Sequence, residues 1–474
     1  MKDCLWENGS FQGTQALHYG AGVMGGAFTN SAYWKVSVDS GNLIRTIFVD
    51  NNAKTVEAIN NQGGYTVCAF SGRQCDIDVI SNARALHLGR TEAIRQIAAD
   101  PRTKIISTSV SPNILTLNEG DEGVSPVISS MTYALYARYK ALGEEGAINV
   151  LICENAFSNG AQALDAVKHE ATARRFDSSF FDWLERKVGF PNSVVDRIAP
   201  APEALDLKVN GESLRDRLTR ELGYVDPQLR VVQGHYSWTL QNIYRDASRE
   251  YERLPIPLVE TQMHVVDRIE QYEMQKLLVF NGPHAICAAL GALKGYERIS
   301  ESMEDKAIRG AVLNALWEIT NVLFDQRGFF PVSEKGLIVK QTIERLSDPN
   351  IIDTVTRVCR DPFRKLDSND RLLRSAKMAA ELKQPFDALA FGIAAMLVYA
   401  KRDNPETSKD QFKEIRRCNL LNGDLDRVVF SSLTGLSITN PQQRRLGDRI
   451  IAHYRNIEEL GVERAVEMIE RQMK

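Results

Sequence analysis

The sequence predicts an α/β first domain built on a doubly wound parallel sheet, followed by a second domain that is mainly α-helical. Three observations carry this. β-Branched apolar runs alternate with helical patterns from Gln15 to about Asn155, a G-x-G-x-x-G turn follows the first of those runs, and from Val265 onward almost every segment has helical period. Together they describe a Rossmann-type N-terminal domain over 1–264, with a looser extension at 202–264, and a helical domain over 265–474.

In chain order, QALHYG reads as a short buried strand and AGVMGGAFTNSAYW as a helix opened on glycines. IRTIFVD is a β-branched run ending at Asp50, and NAKTVEAINNQ is helical in period, which makes a β-α-β unit of roughly 30 residues. Further strands are expected at GYTVCAF, KIISTSV and AINVLICEN, with a helix over SSMTYALYARYKAL before the last. In the extension, LDLKVN and LRVVQGHYSW read as strands and SLRDRLTREL as a short charged helix. The second domain collects VVDRIEQYEMQKLLVF, HAICAALGALKG, AIRGAVLNALWEITNVLF, GLIVKQTIERL, DALAFGIAAMLVYA and the C-terminal NIEELGVERAVEMIERQMK, all helical.

Composition bounds the function classes. With 474 residues, 43% hydrophobic and 25% charged, the chain is an ordinary globular protein, which excludes disordered and fibrous classes. The formal charge of −3 argues against nucleic acid or an anionic membrane as partner, so an anionic ligand must be met by a local basic cluster. Cys4, Cys68, Cys75, Cys153, Cys287, Cys359 and Cys418 form no CxxC pair or zinc spacing, so reduced thiols and no structural metal are expected. No apolar run reaches the ~20 residues that span a bilayer, and MKDCLWENGSFQGT lacks a signal-peptide pattern, so the expected location is cytoplasmic. Oligomeric state is not legible.

HYGAGVMGGAF places Gly20, Gly22 and Gly25 as G-x-G-x-x-G after a strand. Such a turn lets the backbone approach a pyrophosphate at a helix N-terminus. Asp50 ends the next strand, where a carboxylate accepts hydrogen bonds from the adenosine ribose and repels a 2′-phosphate, so the expected cofactor is NAD. The bland alternative is that the glycines tighten a turn and Asp50 caps a helix.

QYEMQKLLVFNGPHAI raises the second question, because Lys276, Asn281 and His284 interrupt an apolar stretch around Gly282-Pro283. On an unbroken α-helix Lys276 and His284 lie about 80° apart with Asn281 off to one side. Asn281-Gly282-Pro283 is a helix breaker, so Lys276 is expected to end one helix while Asn281 and His284 open the next, with all three facing one crevice. Spacing alone leaves open a plain helix joint with a snorkelling lysine, a capping asparagine and a core histidine.

Lys276, Asn281 and His284 in K-x-x-x-x-N-G-x-H resemble the signature of the polyol-specific long-chain dehydrogenases, the mannitol dehydrogenase family. GAGVMGG, LICENAFSNG, VGFPNSVVDRIAP and DPFRKLDSNDRLL resemble its other segments in the same order, and the last two are most similar to the mannitol-1-phosphate 5-dehydrogenase branch. The resemblance implies that Lys276 is the general base, kept neutral by burial, with Asn155 and Asn281 as amide donors to the reacting oxygen and His284 orienting substrate hydroxyls. It implies a proton-relay role for Glu273, whose bland reading is an i,i+3 ion pair with Lys276. Asp196 resembles a substrate-binding or supporting carboxylate, or a structural partner of Arg197. Arg364 and Arg371, with Lys365 next, resemble the substrate-facing cations, while the rest of the run is by default a solvated helix face. Departures are Val23 and Gly26, where many relatives carry Asn and Arg, and a longer segment from Leu205 to Glu260.

The expected function is an NAD-dependent oxidoreductase interconverting a polyol phosphate and a ketose phosphate, mannitol 1-phosphate and fructose 6-phosphate. The rivals are a dehydrogenase of free mannitol or a hexuronate reductase of the same family, and, outside enzymes, a nucleotide-binding regulator without turnover.

Overall fold

A computed structural model describes residues 11–72, 74–115, 123–209, 211–246, 248–402, 431 and 434–473. It divides into two compact units, Met1–Tyr272 and Glu273–Lys474. Cys4 and Cys418 lie outside the described residues, and Cys68, Cys75, Cys153, Cys287 and Cys359 are free thiols.

The first unit is organised by a six-stranded sheet. Its strands are β1 (Thr14–Tyr19), β2 (Ile44–Asp50), β5 (Ala83–His87), β6 (Thr103–Thr108), β7 (Ile148–Ile152) and β8 (Val188–Gly189), in the order β5-β2-β1-β6-β7-β8. Every pairing is parallel. Counted by appearance in the sheet the order is 3-2-1-4-5-6, the Rossmann arrangement, with its topological switch between β1 and β6. Buried β-branched residues explain the strands: Ile105, Ile106, Val150 and Ile152 have no exposed surface, as expected of a sheet covered on both faces.

Helices cover those faces. α1 (Asn30–Ser40) follows a π-helical turn at Gly25–Thr29 and packs Phe28, Ala32, Tyr33 and Val36 against Trp238 and Leu240. α2 (Ala53–Gln62) is capped by Asn52, which accepts from Lys54 and Thr55. On the other face α3 (Thr91–Ala99), α4 (Pro126–Leu142), α5 (Asn159–Ala173) and α6 (Ser178–Lys187) bury Met131, Leu135, Val167 and Trp183.

Several expected strands fall elsewhere. GYTVCAF forms β3 (Tyr65–Ser71), which leaves the main sheet and pairs antiparallel with β4 (Gln74–Ile80). Its other edge takes β12 (Arg230–Gln233) in parallel. The segment ARALH, unremarked in the sequence, supplies the main-sheet edge as β5 instead. LDLKVN begins at the end of the 3-10 turn Pro202–Asp206 and keeps only β10 (Lys208–Val209), paired with β11 (Glu212–Ser213) and followed by α7 (Leu214–Leu222). LRVVQGHYSW splits between β12 and β13 (Ser237–Gln241) in different sheets, because Gly234 turns the chain between them. β13 pairs with β9 (Ser193–Asp196) and with β14 (His264–Val266), so Val265 and Val266 are strand residues and not the start of a helix. α8 (Ile256–Thr261) completes the extension.

The second unit is helical among its described residues. Among the described residues one helix, Ile269–Lys294, is long and apolar enough to cross a membrane, but 89% of its apolar window is buried inside the protein, which marks it as a core helix. It comprises α9 (Glu270–Met274), a π-helical stretch Gln275–Asn281 and α10 (Gly282–Lys294). The unit continues with α11 (Ile299–Glu304), α12 (Lys306–Thr320), α13 (Lys335–Leu346), α14 (Val355–Cys359), α15 (Pro362–Lys365), α16 (Leu373–Glu381), α17 (Asp387–Lys401), α18 (Pro441–Leu460) and α19 (Val462–Met473), of which α11, α12, α14, α17 and α19 pack on α10. α17 is buried almost all round, and buried Glu318 caps it by accepting from Ala388 and Leu389, each at 2.9 Å. Burial pushes the Glu318 carboxyl up to about 7.

Candidate active site

The glycine turn in the first unit has the form its sequence demands. Gly20 adopts φ +102°, and a Cβ there would sit 2.5 Å from the Ser109 carbonyl oxygen. A Cβ on Gly25 would strike the Gly20 carbonyl and come within 2.8 Å of buried His18 Nε2. Gly22 faces open space, with nothing within 4 Å of a Cβ position, so its backbone is the part a phosphate can approach. Asp50 Oδ2 accepts from Ala21 N at 2.7 Å and Oδ1 from Asn52 N at 2.8 Å, while Asn52 does the capping of α2. The carboxylate therefore holds the loop from the tip of β2 and keeps lone pairs able to accept further hydrogen bonds.

Asn155 is exposed just beyond the carboxyl end of β7, the sheet edge where such folds bind ligands. The turn carrying it is fixed by a residue that sequence reading passed over. Buried Asn159 donates to the carbonyls of Ile152, Glu154 and Ser193 and accepts from Ser193 N. Glu154, pushed up by burial, accepts from Thr108 Oγ1 and Val110 N and ties β7 to β6. Asp196 ends β9 with Oδ2 3.2 Å from His235 Nε2. Arg197 donates to the carbonyls of Gln233 and Ala27.

In the second unit the expected helix break at Asn281-Gly282-Pro283 is corrected: the helix runs through it. Proline lacks a donor and its ring collides with the carbonyl four residues back, and the chain answers by widening to i→i+5 bonding, with Gly282 N–H donating to the Leu277 carbonyl. The widening has a geometric consequence. Lys276 and Asn281 are five residues apart, about 140° around an α-helix, whereas the wider i→i+5 turn brings the two side chains nearer to one face.

Lys276 is half-buried with Nζ 4.6 Å from the Phe280 ring centroid, and Arg345 covers the same ring at 3.8 Å. His284 packs on Phe280 at 5.5 Å and is buried, which lowers its pKa and keeps the imidazole neutral. Its Nε2 lies 3.1 Å from Asp353 Oδ2, close enough for electrostatic pairing though not well directed as a hydrogen bond. Burial alone would raise Asp353, but Arg357, gripping it through two nitrogens at 2.6 and 2.7 Å, together with His284 holds it well below the usual carboxylate range. An ionised Asp353 at Nε2 favours the tautomer with Nδ1 free to accept from a hydroxyl, an assignment made from the neighbours. Glu273 is buried on the same helix and attracts Arg374.

The basic segment comes to this helix at Gly282, where a Cβ would lie 3.1 Å from the Arg371 carbonyl oxygen. Asp370 gathers it: Arg371 Nε donates at 2.7 Å and Arg364 Nη1 at 3.1 Å. Lys365 is 3% exposed, and burial, then the charges of Arg371 and Arg364, push it down to about 7. Asp370 thus pairs with both arginines, while Lys365 feels their charges and that of Asp361, so three basic side chains stand against two carboxylates, the charge balance of an anion-binding pocket. Asp353, Arg357 and Asp370 were not singled out in the sequence, although Asp370 stands inside the basic run. Among the described residues no cluster of three or more His, Cys, Asp or Glu is placed to hold a metal ion.

Comparison with known proteins adds to this geometry. Residues 14–251 match the mannitol dehydrogenase Rossmann domain and residues 268–420 the mannitol dehydrogenase C-terminal domain. The mannitol-1-phosphate 5-dehydrogenase of Anoxybacillus flavithermus is 32% identical over 387 residues, covering 81% of this chain and 87% of that protein. That of Exiguobacterium sibiricum is 29% identical over 397 residues, 83% and 88% of the two chains. Among solved structures, Pseudomonas fluorescens mannitol 2-dehydrogenase, in a ternary complex with NAD and D-mannitol, superposes with a TM-score of 0.77 at 19% identity, covering 97% of this chain and 94% of that one. A substrate-free D-sorbitol dehydrogenase gives 0.73 at 20% identity, covering 96% and 95%. At these identities the structural likeness speaks for the fold.

Proposed function

This chain belongs to the mannitol dehydrogenase family, and from that premise we propose that it is an NAD-dependent polyol phosphate dehydrogenase, interconverting mannitol 1-phosphate and fructose 6-phosphate in the cytoplasm. The observation that carries the phosphate reading is the cluster of Arg364, Lys365 and Arg371, in which Asp370 accepts from both arginines and Lys365 is buried beside their charges, packed at Gly282 against the helix of Lys276 and Asn281. The names of the curated relatives support it.

Gly20, Gly22, Gly25 and Asp50 would hold the cofactor, because the turn leaves Gly22 open and keeps the Asp50 carboxylate at its edge. Bound NAD supplies the hydride acceptor in oxidation and, as NADH, the hydride in reduction. Lys276 in its neutral form removes the proton of the reacting hydroxyl. Asn281 donates its amide to the oxygen as negative charge develops there, and we assign Asn155 as the second donor, each worth ~3 kcal/mol. His284 accepts from a neighbouring hydroxyl through Nδ1 and so fixes the carbon chain. Glu273 passes the proton from Lys276 toward solvent. Asp196 remains a proposed substrate or supporting carboxylate.

The same cations suit a carboxylate, so a hexuronate reductase is the reading to exclude. Purified protein with NADH should be assayed spectrophotometrically against fructose 6-phosphate, fructose, fructuronate and tagaturonate. Oxidation of NADH with fructose 6-phosphate at the highest kcat/KM is expected. A preference for either hexuronate or for free fructose would overturn the phosphate assignment, and tight NADH binding without turnover would favour the regulator.

A further inference from the structure

Arg230, on β12 in the extension, is 4% exposed and reaches under the glycine turn. Its Nη2 donates to the Ala21 carbonyl at 2.9 Å, and its guanidinium lies 3.8 Å from the Tyr65 ring centroid. Gly26 makes the room: a Cβ there would collide with the guanidinium carbon. Tyr65 in turn donates its hydroxyl to the Gly26 carbonyl at 3.0 Å, so ring, glycine and guanidinium form one packed unit. Nη1 is buried without a hydrogen-bond partner. The peptide of Ala21 is therefore held from both sides, its N–H by Asp50 at 2.7 Å and its carbonyl by Arg230. A buried charge with an unsatisfied donor is costly, and such a cost is normally kept for a reason that the folded chain alone does not supply.

We infer that Arg230 is a positioning residue for the dinucleotide, fixing the Ala21 peptide and placing a positive charge beneath the backbone that receives the pyrophosphate. This rests on the NAD reading of the turn. Asp226 acts on Arg230 by charge but makes its hydrogen bonds to Gln62, Thr66 N and Gln228 N, so the guanidinium donates to the loop and not to a carboxylate. A charge so placed acts on phosphates and hardly at all on a nucleoside.

The test is competition against NADH fluorescence with ADP and with adenosine, on the unsubstituted chain, Arg230→Met, Arg230→Lys and the double variant Gly26→Arg with Arg230→Ala. Arg230→Met should weaken ADP by about tenfold or more, a charge-assisted contribution, while adenosine changes by less than about twofold. Arg230→Lys should lie between, and the double variant, which returns a guanidinium from the facing position, should recover ADP affinity. Equal weakening of ADP and adenosine, or no change in either, would overturn the proposal. If Arg230→Met does not fold, equal weakening of ADP and adenosine in Arg230→Lys would overturn it as well. Failure of the unsubstituted chain to bind NADH at all would refute the dinucleotide reading first and this inference with it.

Discussion

Lys276 and Asn281 stand one i→i+5 step apart, in the seven-residue π-helical stretch that carries the helix through Pro283. The relationship brings a pair that diverges on an α-helix nearer to one face. It also means that a residue outside the pair sets their geometry.

Pro283→Ala separates stability from function. Removing an interior proline relieves a helix of ~3 kcal/mol of strain and lost bonding, so Tm should hold or rise. The i→i+5 register then loses its cause, and kcat should fall by about tenfold or more as Lys276 and Asn281 diverge, 1.4 kcal/mol being enough for that. Calorimetry and steady-state rates on one preparation check both.

Asn281→Ala should lower kcat by ~10²–10³ with little change in the KM for NAD, as for loss of a donor aimed at a developing oxyanion. A change confined to substrate KM would assign Asn281 to ground-state binding.

Asp353→Asn should lower kcat/KM by ~10–100-fold, the worth of one charge-assisted contact, because His284 loses the group that sets its tautomer. It also leaves Arg357 unpaired, so the substitution belongs beside Arg357→Met/Asp353→Asn; activity lost equally in both while Tm recovers in the double variant identifies the His284 effect as orientation.

How far this site was legible follows from these residues. The β1 strand, the glycine turn, β2 and its terminal Asp50 could be read because each signal is local: buried runs, a glycine spacing, an acid at a strand end. The π register could not, since QKLLVFN has the same apolar period in either helix and Pro283 reads as a break. Asp353 and Asp370 act only through tertiary neighbours, His284 and the arginines, which no spacing brings together. β3 left the main sheet because its partner β12 comes from more than 150 residues away. For the same reason Arg230 gave no signal at all, although Gly26, the residue that admits it, was visible as a departure from the family pattern.

Lys365 gives the pH dependence. Its folded pKa of about 7 lies below the ordinary 10.5, so the unfolded chain holds the proton more tightly, and stability rises as pH climbs from 7 toward 10.5. Below pH 7 the lysine is charged and at its most destabilising, but best able to hold an anion. Above about pH 7, where a phosphate ester is already dianionic, the KM for fructose 6-phosphate should rise as Lys365 loses its proton. Lys365→Met should raise that KM and flatten its slope over the same range, and should raise Tm most near neutral pH. A KM profile unchanged by the substitution would remove Lys365 from the anion pocket.

The most direct test of the catalytic assignment is the turnover of Lys276→Ala with and without added methylamine, at saturating NADH and fructose 6-phosphate. The expected result is a loss of ~10²–10⁴ in kcat, unchanged NADH affinity, and partial recovery that grows with the concentration of methylamine, as for a missing acid–base group. Near-normal turnover without the amine would contradict it.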